Sequence, residues 1–119
     1  MALAELYTGQ IYASGSEWSC PNNSNRDLTP VPITTDGVYQ VFLSCSGLLA
    51  GQELQIKIYE KVTTTDAQQL VYQSNLLGPQ APLIWVSPSL ILLNGWDVTL
   101  KLTAGTGAPG IRYSIRQVA

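Results

Sequence analysis

A chain of 119 residues, 45% of them hydrophobic, is long enough to bury a core and is expected to form one domain. Only 12% of the residues are charged, about half the usual share, and the net charge is −2. The six basic residues are scattered, which argues against nucleic-acid binding. No segment reaches the roughly 20 apolar residues of a membrane span, and the N-terminus does not resemble a signal peptide, so synthesis in the cytosol is expected.

Residues 1–35 are expected to form an N-terminal arm, a short strand and Pro/Asn-rich loops that pack on the rest of the domain. Residues 8–13 carry strand-forming side chains without a helical stripe, so this part is extended, as an arm or a first strand. Trp18 marks the centre of a brief second strand. Two prolines restrict residues 28–35 to a sheet edge or a crossover, because proline donates no hydrogen bond to a sheet.

Residues 36–119 are expected to form the core of the domain. Residues 38–45 carry apolar side chains on both faces, which predicts a central strand or one that lies at an interface. Residues 53–60 alternate between an apolar and a polar face, as a strand with one buried side does. Thr63–Asp66 then form a hairpin tip, and residues 68–75 return antiparallel.

The second half of this core contains a clear turn signal. Four apolar residues in a row, Leu90–Leu93, predict a strand that is buried on both sides. Asn94-Gly95 favours a tight hairpin, because both central positions of a type I′ turn need a positive φ. Residues 96–103 and 111–116 again alternate between the two faces. About eight short strands without helical periodicity predict an all-β fold, an antiparallel β-sandwich with jelly-roll topology.

The sequence offers little material for catalysis. It contains no histidine, the commonest general base and metal ligand. Cys20 and Cys45 do not make a zinc site, and two buried thiols are favoured over a disulfide. The eight acidic residues fall mostly at turns and on polar strand faces, where solvation accounts for them. We therefore predict no catalytic residue, no cofactor and no metal.

The three tryptophans could together build a flat platform for sugar rings. Trp85 and Trp96 lie in apolar strands and are expected in the core. Trp18 has polar neighbours beside a turn, and burial and exposure are equally compatible with its position. Carbohydrate binding through Trp18 therefore stays open.

Several stretches resemble small structural proteins encoded among the head and tail genes of tailed bacteriophages. The stretches that carry this resemblance are Asp36–Phe42, Gly51–Val62, and Trp85–Leu90 with Gly95–Lys101 and Ser114–Val118. The resemblance covers roughly residues 36–118 and is one of strands and turns. It implies a capsid decoration, or cement, protein: a jelly-roll or sandwich domain, often a homotrimer, on the outer capsid surface where capsomers meet. It transfers no functional residues.

The residue patterns and the resemblance together give one hypothesis for the function and one alternative. The hypothesis is a non-enzymatic virion protein, made in the host cytoplasm, that binds the major capsid protein and copies of itself but neither nucleic acid nor membrane. The alternative is a carbohydrate- or receptor-binding module on a phage fibre or tail. Val38, Phe42 and Trp18 are the predicted interface residues. Val38 and Phe42 lie on the second apolar face of their strand, which either the preceding proline-rich segment or a neighbouring subunit would cover.

Overall fold

Strands and turns make up the whole described part of the chain. A computed structural model describes residues 3–26 and 32–119, and these two ranges contain no helix. Their ten strands are β1 (Ala4–Tyr12), β2 (Trp18–Ser19), β3 (Ser24–Asn25), β4 (Gly37–Ser44), β5 (Glu53–Glu60), β6 (Gln69–Leu77), β7 (Ile84–Val86), β8 (Leu90–Leu92), β9 (Asp97–Ala104) and β10 (Gly110–Gln117). The prediction of an all-β fold is confirmed. No helix in these ranges could cross a membrane.

The strands form two antiparallel sheets, which we call sheet A and sheet B. Sheet A runs in the order β1-β10-β4, and both β7 and β8 pair with the other side of β4. Sheet B runs in the order β3-β2-β9-β5-β6. The inner faces of both sheets contribute to one buried core. The predicted β-sandwich is confirmed, and β4 is a central strand as its two apolar rows suggested.

The pairing of strands that are distant in sequence follows the jelly roll. Eight principal strands remain when β3, an edge strand that pairs only with β2, is set aside and β7 with β8 is counted as one interrupted strand. The first pairs with the last (β1 with β10), the second with the seventh (β2 with β9), the third with the sixth (β4 with β7 and β8), and the middle two with each other (β5 with β6). A long hairpin rolled up in this way gives two four-stranded sheets with the predicted topology.

Trp96 lies in the middle of the core and is fully buried, as predicted. Its ring stacks at a tilt on Tyr39, with centroids 4.8 Å apart, and meets the edge of Tyr7 at 5.8 Å. Its Nε1 donates a hydrogen bond of 3.0 Å to the carbonyl oxygen of Thr35, which satisfies the polar atom of the indole. Trp85 is half-buried and packs against the core. Both placements follow from the apolar strands that carry these residues.

The N-terminal stretch is part of the sandwich. β1 pairs with β10 from Ala4, opposite Gln117, to Tyr12, opposite Gly110, and so forms one edge of sheet A. The predicted strand around Trp18 is also present, as β2. Of the proline-containing segment, residues 28–31 lie outside the described part of the chain.

The prediction of a hairpin at Asn94-Gly95 is wrong. β8 pairs with β4 in sheet A whereas β9 lies in sheet B, so the chain crosses between the sheets at this turn. The carboxylate of Glu60, at the end of β5, accepts hydrogen bonds from the amides of Leu93, Asn94 (3.2 Å) and Gly95 (3.0 Å). The amide groups of the turn are thus bound by a side chain from another strand, and no ladder forms between β8 and β9.

The prediction that Leu90–Leu93 is buried on both sides is also wrong. Leu92 is buried, but Ile91 is 77% exposed and Leu93 is exposed as well. β8 lies at the side of sheet A, where only its inner face meets the core. Its outer face therefore adds apolar surface to the outside of the sandwich.

Both cysteines are free and buried, as favoured from the sequence. Burial raises the pKa of the Cys20 thiol well above its usual value, and the nearby Asp97 carboxylate raises it further. Burial also raises the pKa of the Cys45 thiol. Both groups remain protonated and behave as small apolar core residues.

Candidate functional site

The outer face of sheet A carries a row of apolar side chains. Phe42 lies opposite Val86, and Val38 lies opposite Ile91, across the pairs that β4 makes with β7 and β8. Val38 and Phe42 are half-buried, whereas Ile84, Val86 and Ile91 are exposed. We call these five residues the apolar face. Gln40 lies between Val38 and Phe42 on the same face and donates a hydrogen bond of 3.1 Å to the carbonyl of Ser87. Exposed apolar side chains grouped on one face of a small protein are typical of an interaction surface.

The segment that precedes β4 is described from residue 32 onwards, and this part pairs through Ile33 with the residue just before β9. Ile33 exchanges backbone hydrogen bonds with Trp96, with N–O distances of 2.7 and 2.9 Å. The guanidinium group of Arg116 stacks on Phe42, and its central carbon lies 3.9 Å from the ring centroid. Two of the three predicted interface residues, Val38 and Phe42, therefore lie together on one side of the sandwich.

Two arginines from β10 flank this apolar face. An open groove of about 440 Å³ lies beside it and is lined by residues that include Phe42, Ser44, Ile84, Arg112, Ser114 and Arg116. We call it the basic groove. Arg116 Nε donates a hydrogen bond of 3.0 Å to Ser114 Oγ, and the Ser114 hydroxyl donates to the carboxylate of Glu5. The groove thus combines an aromatic ring, an aliphatic side chain and two cations.

The charges in this groove are poorly balanced. Glu5 is the only acidic residue in the five strands of sheet A, and it lies 3.8 Å from Arg116. Arg112 is exposed and forms no ion pair with any residue of the described ranges. An exposed pair such as Glu5 with Arg116 stabilises little and leaves the cation available. The outer face of sheet A is therefore locally positive on a chain whose net charge is −2.

Trp18, the third predicted interface residue, lies in the other sheet. Its partner across the ladder is Leu100, a core residue, so the indole is half-buried and packs inward. Its Nε1 donates a hydrogen bond of 3.2 Å to Ser14 Oγ. Trp18 also lines a shallow recess of about 330 Å³, together with Gln10, Tyr12 and Asn23. The structure therefore separates Trp18 from Val38 and Phe42.

A buried polar cluster on the outer face of sheet B was not anticipated from the sequence. Asp97, at the start of β9, has a side chain that is only 1% exposed. Its Oδ1 accepts hydrogen bonds from the Ser19 hydroxyl at 2.6 Å and from the Val98 amide at 2.8 Å. Its Oδ2 lies 3.4 Å from Arg26 Nε, and within the described ranges neither atom has a hydrogen bond of good geometry. Burial raises the pKa of the Asp97 carboxyl to about 6, although both hydrogen bonds and the Arg26 charge oppose this.

Glu17 joins the same cluster from the loop before β2. Its Oε1 accepts a hydrogen bond of 2.6 Å from the Tyr59 hydroxyl and lies 3.7 Å from Lys57 Nζ. Its Oε2 lies 3.6 Å from Arg26 Nη1, and the Arg26 guanidinium stacks 3.9 Å from the Tyr59 ring centroid. Burial and the hydrogen bond to Glu17 raise the pKa of Tyr59 well above its usual value, so Tyr59 stays a donor.

This cluster links the residues that flank β2 and β3, Glu17 and Arg26, to strands β5 and β9 of the same sheet. Arg26 follows β3, and its amide also donates 2.9 Å to the carbonyl of Glu17. The prediction that acidic side chains on polar strand faces are simply solvated is therefore wrong for Asp97 and Glu17. Their contacts are with side chains of the protein, and the burial of Asp97 denies a substrate access to its carboxylate. Residues 3–26 and 32–119 contain no group of three or more His, Cys, Asp or Glu residues that could hold a metal ion.

Comparisons with known proteins place few constraints on this chain. No family model matches it, and no curated protein matches it. Among solved structures, it is similar to the C-terminal domain of A223, a structural protein from Sulfolobus turreted icosahedral virus. The match covers 99% of this chain and 100% of that domain, with 12% sequence identity and a TM-score of 0.39. A similarity this weak establishes neither a common fold nor a common function.

Proposed function

We propose that this chain is a structural protein of a virion without enzymatic activity, a capsid decoration protein that stabilises the head. In this proposal it is made in the host cytoplasm, lies on the capsid surface as a homotrimer and buries the apolar face against the major capsid protein. The observation that carries the proposal is the apolar face itself, with Ile84, Val86 and Ile91 exposed on one side of a rigid sheet. Desolvating such a patch is the main driving force of most protein association.

The fold and the sequence give further support. Jelly rolls occur in viral capsid proteins and lectins, although a fold alone does not define a function. The resemblance to tailed-phage virion proteins rests on stretches that lie in β4, β5, β7, β9 and β10 and at the start of β8, so it draws on both sheets. A protein that binds the assembled shell but not its free subunits shifts the assembly equilibrium by mass action. No catalytic step is needed for such a role.

Substitution of Ile91 by lysine tests this proposal. Purified wild-type protein is expected to sediment with expanded capsids and to raise their melting temperature. Ile91→Lys should weaken capsid binding about tenfold or more, because a charged side chain would have to be desolvated in the interface. Leu77→Lys is the matched control, since Leu77 is 65% exposed at the end of β6 in sheet B. Absence of capsid binding by the wild type, or equal binding by both variants, would contradict the proposal.

The recess beside Trp18 favours a second candidate, carbohydrate binding. The recess combines two aromatic rings, Trp18 and the 63% exposed Tyr12, with the amides of Gln10 and Asn23. Stacking rings and amide hydrogen bonds are the usual means of binding a sugar. A glycan array should then show hits that disappear with Tyr12→Ala and persist with Tyr12→Phe, which keeps the ring. An array without hits for the wild type would count against this candidate.

A further inference from the structure

The basic groove differs from the rest of the outer surface in its chemistry. Arg112 and Arg116 lie on the same face of β10 with Ser114 between them, as the alternation of a strand requires. Four residues of extended chain separate the two Cα atoms by about 13 Å. Phe42 and Ile84, from the neighbouring strands, line the same groove. Two cationic positions thus lie beside an apolar floor.

The two arginines are prepared for binding in different ways. Arg116 is held in place by its stack on Phe42 and its hydrogen bond to Ser114, so ordering it on binding costs little. Arg112 is exposed and unpaired within the described ranges, so an incoming anion displaces no existing ion pair. A guanidinium group offers two parallel donors that match the two oxygens of a carboxylate.

We propose that the basic groove binds an extended segment of a partner protein in which two carboxylates flank a large apolar side chain. In an extended segment, residues i, i+2 and i+4 point to the same side, so an acidic–apolar–acidic pattern on alternate residues matches the separation of the Arg112 and Arg116 Cα atoms. The flexible glutamate side chain then reaches the Arg116 guanidinium, which is held beside Ser114 and Phe42. The apolar side chain lies against Ile84, beside the stack of Arg116 on Phe42, and the carboxylates meet the two guanidinium groups. The inference rests on the proposed function, because the capsid protein is the partner that would supply this segment.

A peptide titration tests the groove without any capsid. The probe is acetyl-Thr-Glu-Thr-Leu-Thr-Glu-Thr-amide, added to the ¹⁵N-labelled protein, and the control peptide has glutamine in place of both glutamates. Amide shift changes are expected in β4, β7 and β10 only. The glutamine peptide should bind about tenfold more weakly, and raising the salt concentration should weaken the glutamate peptide alone.

Matched arginine and lysine variants complete this test. Arg112→Gln should weaken the glutamate peptide about fivefold or more, whereas Lys101→Gln, which removes a cation from β9 in sheet B, should leave its affinity unchanged. Equal affinity for both peptides, shift changes spread over sheet B, or no effect of Arg112→Gln would each overturn the inference. So would occupation of the groove by a second copy of the chain, detected as self-association in sedimentation that Arg112→Gln abolishes, or by a sialylated glycan.

Capsid binding by Arg112→Gln separates this inference from the proposed function. If wild-type protein binds capsids and Arg112→Gln binds them equally well, the groove is not the contact and the inference fails while the function stands. If the wild type binds no capsid but binds the glutamate peptide as described, the function fails and the groove's specificity stands. Loss of capsid binding with Arg112→Gln, but not with Lys101→Gln, supports both.

Discussion

Substitution of Trp96 by alanine is expected to lower the free energy of unfolding by about 3–5 kcal/mol, the range seen when a large buried aromatic residue is truncated. The indole is fully buried between Tyr7 and Tyr39, so alanine would leave a cavity that the rigid sheets on both sides cannot close. It would also remove one of the two donors to the carbonyl of Thr35, leaving only the Tyr39 hydroxyl at 2.8 Å. Urea unfolding followed by circular dichroism measures this loss.

The control for this prediction retains an aromatic ring at the same position. Trp96→Phe keeps much of the stack on Tyr39 but loses the hydrogen bond, so its loss should be clearly smaller than that of Trp96→Ala. Because a domain of this size has a total stability of about 5–15 kcal/mol, the alanine variant could be largely unfolded in water, and the phenylalanine variant then still gives a measurable value. A loss below about 1 kcal/mol for Trp96→Ala would show that this residue is not the centre of the core.

Substitution of Asp97 by asparagine is expected to change how stability depends on pH. The pKa of Asp97 is about 6 in the folded protein, above its ordinary value of 3.8. The folded state therefore binds the proton more tightly than the unfolded state. The stability contributed by this proton is fully present below pH 3.8 and is lost as the pH rises to 6 and above, by about 3 kcal/mol in total. Asparagine does not ionise, so the variant does not lose this part of its stability as the pH rises.

The measurement compares unfolding free energies of wild type and Asp97→Asn between pH 4 and pH 7. Contributions of other groups largely cancel in the difference, which should shift in favour of the variant by up to about 3 kcal/mol as the pH rises. Ser19→Ala is a second variant, and it should change the pH dependence of stability in the opposite direction to Asp97→Asn. The Ser19 hydroxyl donates to the carboxylate and holds the pKa of Asp97 down, so its removal should raise that pKa further and steepen the decline. Parallel profiles for all three proteins would contradict the burial argument.

The strands with strict alternation were the part of the fold that the sequence could predict. In β5, Leu54, Ile56 and Ile58 are fully buried and the residues between them face outward, as their pattern indicated. Period-2 alternation works because one face of a strand meets the core and the other does not. The jelly-roll topology followed from strand number and spacing, which leave few ways to bury such faces.

The turn at Asn94-Gly95 shows where local patterns stop being informative. The chain does bend at this dipeptide, but of its two residues only Gly95 has a positive φ, of 148°, whereas a type I′ turn needs one at both central positions. Whether the strands on either side pair with each other depends on sheet membership, which is decided by distant partners: β4 for β8, and β5 for β9. Glu60 binds the turn amides from 33 to 35 residues away along the chain. No local signal encodes that contact.

The candidate functional surfaces could also be predicted from the sequence only in part. Alternation placed Val38 and Phe42 on the outer side of β4, and the structure shows them there, opposite Ile91 and Val86. Strands β7 and β8 are too short for their sequence pattern to show that these two side chains would also face outward. Alternation also placed Asp97 on an outer face, but it could not show that the side chains of Glu17 and Arg26 lie over that face. A strand pattern tells which side a residue is on, and only the tertiary structure tells what lies over it.

The position of β10 in the middle of sheet A has a consequence for biosynthesis. β10 lies between β1 and β4, so the first two long strands of that sheet have no partner between them until residues 110–117 have been synthesised. Assembly of sheet A must therefore wait until β10 has been synthesised, because its pairings join strands that are distant in sequence. Until then β1 and β4 present open edges on which nascent chains can pair with one another. A ribosome that stops before residue 110 releases a product with both edges open, and such a product is prone to aggregate.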